Sequence, residues 1–131
     1  MSVRAIRGAI SVDQNDAALI LKVTRQLLEA ILSHNPQLKV EDLASAIFTL
    51  TPDLNAIFPA QAAREIGWTQ VPMICAQEIP VPGALARCVR VLLHWNTSLA
   101  SDQISHVYLG EAVRLRPDLP QAKNITKNEE K

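Results

Sequence analysis

Arg90 stands in Cys88-Val89-Arg90-Val91-Leu92-Leu93, an apolar run with the composition of a strand. A guanidinium keeps its charge throughout the pH range of a folded protein, so on a half-buried strand it needs an anion beside it. Arg7 is set in the same way in Val3-Arg4-Ala5-Ile6-Arg7-Gly8-Ala9-Ile10. Such a pair suits an anionic ligand. The alternative is a structural ion pair between Arg90 and Glu78. Because Glu78 is the only acidic residue near a strand and must serve at least two strand arginines, a ligand carboxylate balances the charges better.

Other groups could join that chemistry, each with a plainer reading beside it. Ile74-Cys75-Ala76-Gln77-Glu78 brings a thiol, an amide and a carboxylate to the end of an apolar run, a place where side chains are held at a pocket edge. No histidine adjoins Cys75 in sequence to act as its base, which argues against cysteine catalysis. Tyr108, the only tyrosine, reads as a core aromatic with a wet hydroxyl or as a ligand contact. Phe58-Pro59-Ala60 with Arg64 reads as an ordinary helix start or as an apolar wall with a cation. Arg114-Leu115-Arg116-Pro117-Asp118 reads as a solvated basic stretch or as a flap over an anion site. His34, His94 and His106 are scattered, and the spacing of Cys75 and Cys88 matches no zinc pattern, so neither a metal site nor a disulfide is expected.

The elements that must position these groups follow from length and pattern. With 131 residues, 48% of them hydrophobic, the chain suits one domain with a sizeable core. Thirteen basic residues against thirteen acidic ones give no net attraction for nucleic acid. No apolar run approaches a membrane span and the first residues do not read as a signal peptide, so a cytoplasmic location is expected.

Val3 to Ile10 reads as a strand, and Asp16 to His34 as a long amphipathic helix with Ile20, Val23, Leu27 and Ile31 on its apolar face. Asp13 or Asn15 is the expected cap of that helix and Asn35-Pro36 its stop. Ala44 to Thr51 suits a central strand, Pro59 to Ile66 a short helix closed by Gly67, and Val71 to Gln77 a buried strand. Leu85 to Trp95 reads as the longest strand. Alternation places Cys88, Arg90, Leu92 and His94 on one face, with Arg87, Val89, Val91, Leu93 and Trp95 on the other. Ile104 to Tyr108 completes a set of about five strands, followed by a helical turn around Glu111 to Val113. The expected fold is therefore α+β, a single mixed sheet covered on one face by the long helix. Its strands are apolar on both sides, so self-association is expected to cover the other face. Residues 1–120 form the expected domain, and 121–131, with five charges and a single isoleucine, an expected disordered tail.

Seven blocks in order resemble one family. Arg4-Ala5-Ile6-Arg7-Gly8-Ala9, Thr51-Pro52-Asp53-Leu54, Phe58-Pro59-Ala60, Cys75-Ala76-Gln77-Glu78, Arg87-Cys88-Val89-Arg90-Val91, His106-Val107-Tyr108-Leu109 and Leu115-Arg116-Pro117-Asp118-Leu119 together resemble the monofunctional, trimeric class of bacterial chorismate mutase. Gln61 and Ile74 depart from the lysine and threonine that relatives can carry.

The resemblance implies a homotrimeric pseudo α/β barrel with active sites between subunits, the rearrangement of chorismate to prephenate on the route to phenylalanine and tyrosine, and no cofactor. It implies that Arg7 and Tyr108 contact the substrate's carboxylates, Arg90 the ether oxygen and a carboxylate, and Glu78 the ring hydroxyl with Cys75 beside it. Phe58, Ala60 and Arg64 would come from a neighbouring subunit, and Leu115 and Arg116 would close the site. The competing reading is a non-catalytic trimer that binds a small dicarboxylate. Glu78 discriminates between them, because a dianion binder gains nothing from a carboxylate in its pocket, whereas a ring hydroxyl needs an acceptor.

Overall fold

The computed structural model describes residues 1–115. Arg116 and the expected tail at 121–131 lie outside the described residues. The elements are β1 (Ser2–Ser11), α1 (Ala17–His34), β2 (Leu43–Leu50), α2 (Ala60–Glu65), β3 (Met73–Gln77), β4 (Cys88–Thr97) and β5 (Val107–Leu109), with 3₁₀ turns at Val40–Asp42, Ser101–Gln103 and Gly110–Leu115. One mixed sheet runs in the order β3-β2-β4-β1-β5. β4 is its centre, antiparallel to both β1 and β2, while β3 and β5 flank it as parallel edge strands.

Alternation along β4 sorts its side chains as expected. Val89, Val91, Leu93 and Trp95 are buried beneath the helices, and Arg90, Leu92 and His94 point to the other face. Arg87 does not join that pattern. It precedes the strand in a left-handed conformation with φ 47°, and its Nε donates to the Val12 carbonyl at 3.2 Å. β3 is likewise not the buried strand expected from its apolar sequence. As an edge strand it leaves Ile74, Ala76 and Gln77 exposed.

α1 covers one face of the sheet with Ile20, Leu27, Leu28 and Ile31, which join Ile6, Phe48, Val89, Leu93 and Trp68 in one core. Its cap is Asp16, whose carboxylate accepts the Leu19 amide at 3.0 Å, and not Asp13 or Asn15. Asp16 lies immediately before the first turn with extended backbone, the geometry that an N-cap requires. Asn15 is committed elsewhere, because its Oδ1 accepts the amides of Asn55 and Ala56. α2 starts after Pro59 and ends before Gly67, which adopts φ 99°.

At Gly8 the α1 side chains of Ile31 and Leu27 pack directly against the β1 backbone. A Cβ there would lie 2.8 Å from Ile31 Cδ1 and 3.2 Å from Val91 Cγ1. The missing side chain therefore sets the helix-to-sheet distance, one residue from Arg7. Gly8→Ala is expected to overpack this contact and lower stability by about 1–3 kcal/mol. Urea unfolding should show a lower midpoint with an unchanged slope, and an unshifted midpoint would contradict the packing argument.

Candidate active site

Strand register builds the site. Residues paired directly across a sheet project to the same side, so Tyr108, Ala9, Arg90, Thr49 and Ala76 form one row across all five strands on the face opposite α1. The adjacent row holds Arg7, Leu92, Ile47 and Ile74. Arg7 and Arg90 are thus diagonal neighbours on the central strands. The small Ala9 between Tyr108 and Arg90 leaves a depression. Arg7, Gly8, Ala9, Ile47, Thr49, Glu78, Arg90, Val91, Leu92 and Tyr108 line a cleft there of about 210 Å³.

Glu78 follows β3 and turns back over this row. Its amide donates to the Leu50 carbonyl at 2.8 Å, which extends the β2 pairing by one residue. Thr49 Oγ1 donates to Glu78 Oε2, and the same carboxylate oxygen lies 3.7 Å from Arg90 Nε. With the Arg90 and Glu78 side chains 38% and 25% exposed, the ion pair contributes at most about 1 kcal/mol to stability. The pair is realised, then, but it is loose and open. Among the described residues Arg7 forms no ion pair.

The start of β4 is held by a staple that explains one of the sequence blocks. Both Asp53 carboxylate oxygens accept the Arg87 amide, at 3.1 and 3.0 Å, and Thr51 Oγ1 accepts the Cys88 amide at 3.0 Å. The Arg87 carbonyl in turn accepts the Val12 amide at 2.8 Å. These bonds absorb the left-handed turn at Arg87 and deliver Arg90 opposite Thr49.

The structure does not gather every expected residue in the cleft. Cys75 pairs with Phe48 and projects toward the core face, away from Arg90, so the thiol and the Glu78 carboxylate are on opposite sides of the sheet. Ala76 ends the Arg90 row, Ile74 sits exposed at the edge of the next row, and Gln77 projects with Cys75. Phe58 is 69% exposed and lines a separate groove with Leu50, Cys75, Ala76 and Gln77. Arg64 is exposed on α2. Ala60 is buried in its own chain's core. Leu115 packs on the cluster of Ala9, Cys88, Tyr108 and Ala112 beside the cleft.

Sequence reasoning missed Thr49 and Ile47. Period-two alternation through β2 could have placed both on one face, but only the β2–β4 pairing puts that face next to Arg90. No group of three or more His, Cys, Asp or Glu side chains able to hold a metal ion occurs among the described residues.

The sheet face opposite α1 thus carries two arginines, a carboxylate and, buried at the edge of the cleft, a tyrosine. Comparison with known proteins identifies the family. The profile of the family chorismate mutase type I matches residues 3–119. Chorismate mutase AroH of Thermus thermophilus is 52% identical over 120 residues, covering 92% of this chain and 98% of that protein. The AroH protein of Bacillus subtilis (strain 168) is 47% identical over 125 residues, 95% of this chain and 98% of that one. A solved chorismate mutase from Clostridium thermocellum superposes with a TM-score of 0.80 at 47% identity, covering 82% of this chain and 96% of that chain. The chain belongs to the chorismate mutase type I family.

Cys88 lies directly under this site, and burial pushes its thiol up to about 11, against the opposing pull of the Arg90 charge. At pH 8 it therefore remains protonated and inert. Iodoacetamide at pH 8 should leave Cys88 unmodified in the native protein and label it after unfolding, as read by peptide mass spectrometry. Prompt labelling of native Cys88 would contradict this.

Proposed function

We propose that the cleft between Arg7, Glu78, Arg90 and Tyr108 is where chorismate is rearranged to prephenate, the activity of the family. The observation that carries this reading is the convergence of Arg7, Arg90 and Glu78 on one open sheet face. The rearrangement breaks an ether C–O bond and forms a C–C bond within one molecule. No proton, electron or group is exchanged with the protein, so the reaction needs no base, nucleophile or cofactor. What the protein must supply is a chair-like substrate conformation and stabilisation of the negative charge that grows on the ether oxygen.

Arg90 supplies the second. Its guanidinium presents a fixed fork of donors, and Glu78, which accepts a hydrogen bond from Thr49, faces it from the β2–β3 side. Arg7 and Tyr108 grip the carboxylates, which restrains both ends of the dianion. Glu78 accepts the ring hydroxyl. The side chain of Cys75 faces away from the cleft, so any contact of Cys75 with substrate runs through its backbone. A millionfold acceleration corresponds to about 8 kcal/mol of transition-state stabilisation, of which one preorganised donor supplies about 3–4 kcal/mol. Positioning by the remaining contacts accounts for the balance.

A single chain offers only part of such a site. Its cleft is smaller than the roughly 300 Å³ at which ligand pockets begin, and it is open on one side. The same sheet face exposes Ile74 and Val3 and half-buries Ile47 and Leu92, apolar surface that a second copy would cover. We read the active assembly as a cytoplasmic homotrimer in which a neighbouring chain brings Phe58 and Arg64 to the open side, with Leu115 and Arg116 closing it. Among the described residues, no helix is long and apolar enough to cross a membrane.

Purified protein should consume chorismate, followed by its absorbance, and should have the mass of three chains. Arg90→Lys should fold and assemble but lose about 10²-fold or more in kcat, because an ammonium cannot reproduce the guanidinium's paired donors. Near-normal turnover of that variant would overturn the role given to Arg90.

A further inference from the structure

The Arg7 backbone amide points toward β5 but lies beyond the last β5 partner, since the β1–β5 pairing begins at Gly8 and Val107. A ladder carbonyl is therefore not what receives it. The imidazole of His106 takes that place, and the Arg7 amide donates to His106 Nδ1 at 3.0 Å. For Nδ1 to accept, the neutral ring must carry its proton on Nε2.

The residue before His106 is clamped from the opposite side. Buried Asn35, at the end of α1, donates from Nδ2 to the carbonyls of Ile31 at 2.9 Å and Ser105 at 3.0 Å, and its Oδ1 accepts the Ser105 amide at 2.9 Å. The chain thus enters β5 with its backbone fixed to the last turn of α1, and the His106 ring is presented to β1 from that fixed point.

We propose that His106 is a positioning residue for Arg7. Its ring stands in for the missing rung of the sheet and fixes the stretch of β1 from which the Arg7 guanidinium reaches substrate, with Asn35 holding His106 in register. The inference rests on the reading of Arg7 as a substrate contact. Because Arg7 grips a carboxylate in both the ground state and the transition state, loosening it weakens binding of both and appears in KM rather than in kcat.

Two variants separate this role from simple packing. His106→Leu removes the acceptor at similar bulk. His106→Asn keeps one, since Asn Oδ1 is as many bonds from the backbone as His Nδ1. His106→Leu should raise KM about five- to tenfold with kcat within about twofold, the size expected for one hydrogen bond. His106→Asn should restore KM to near the wild-type value. Nitrogen NMR of the wild-type protein should show His106 Nδ1 without a proton and coupled to the Arg7 amide.

Unchanged KM in His106→Leu would overturn the proposal, as would equal losses in both variants that follow their melting temperatures. If His106→Leu does not fold, the Asn variant and the NMR spectrum decide: a raised KM for His106→Asn, or a protonated Nδ1, overturns it. An Arg7→Ala control keeps the two readings apart. A harmless Arg7→Ala would mean that Arg7 is not a substrate contact. A damaging Arg7→Ala beside a neutral His106→Leu would remove only the positioning role.

Discussion

Arg90 carries a charge that it cannot lose, on the central strand of the sheet, and the surrounding architecture answers to that fact. The charge cannot sit under α1, where Val89, Val91, Leu93 and Trp95 are fully enclosed, so the phase of β4 is set with Arg90 on the uncovered face. A slip of one residue would exchange the two sets. The Asp53–Thr51 staple prevents that slip by pinning the amides of Arg87 and Cys88, the last residue before the strand and its first. Its components come from the loop after β2, the strand that also supplies Thr49 opposite Arg90.

The partner that Arg90 finds within the chain is a half-measure. Glu78 is near enough to orient the guanidinium and too exposed to stabilise the fold appreciably. A tight, buried pair would compete with substrate for the same donors. A loose one leaves the fork available. The rest of the face combines cations with apolar side chains, Ile47 and Leu92 among them.

Much of the fold could be read from residue pattern, because the relevant forces are local. The period of Ile20, Leu27 and Ile31 marked α1, the glycine after Ile66 closed α2, and alternation assigned both faces of β4. What escaped depended on contacts distant in the chain. Asp13, Asn15 and Asp16 are chemically similar caps within one turn, and only the bond from Asn15 to the Asn55–Ala56 loop shows why Asp16 is left to do it. β3 has an apolar sequence, yet the strand order makes it an edge. Cys75 and Glu78 adjoin in sequence and separate in space, since Cys75 is inside the strand and obeys its alternation while Glu78 is past its end. Thr49 and His106 gave no signal of their own, because a threonine on a strand and an isolated histidine acquire a role only through what they face.

The central claim is that the positive charge of Arg90, and not merely its shape or its hydrogen bonds, stabilises the oxygen on which charge appears. The most direct measurement is kcat for protein in which Arg90 is replaced by citrulline, which keeps the planar side chain and removes the charge. A loss of about 10²–10³-fold in kcat, with fold and assembly intact, is the predicted result. Turnover close to that of the unmodified protein would contradict the account.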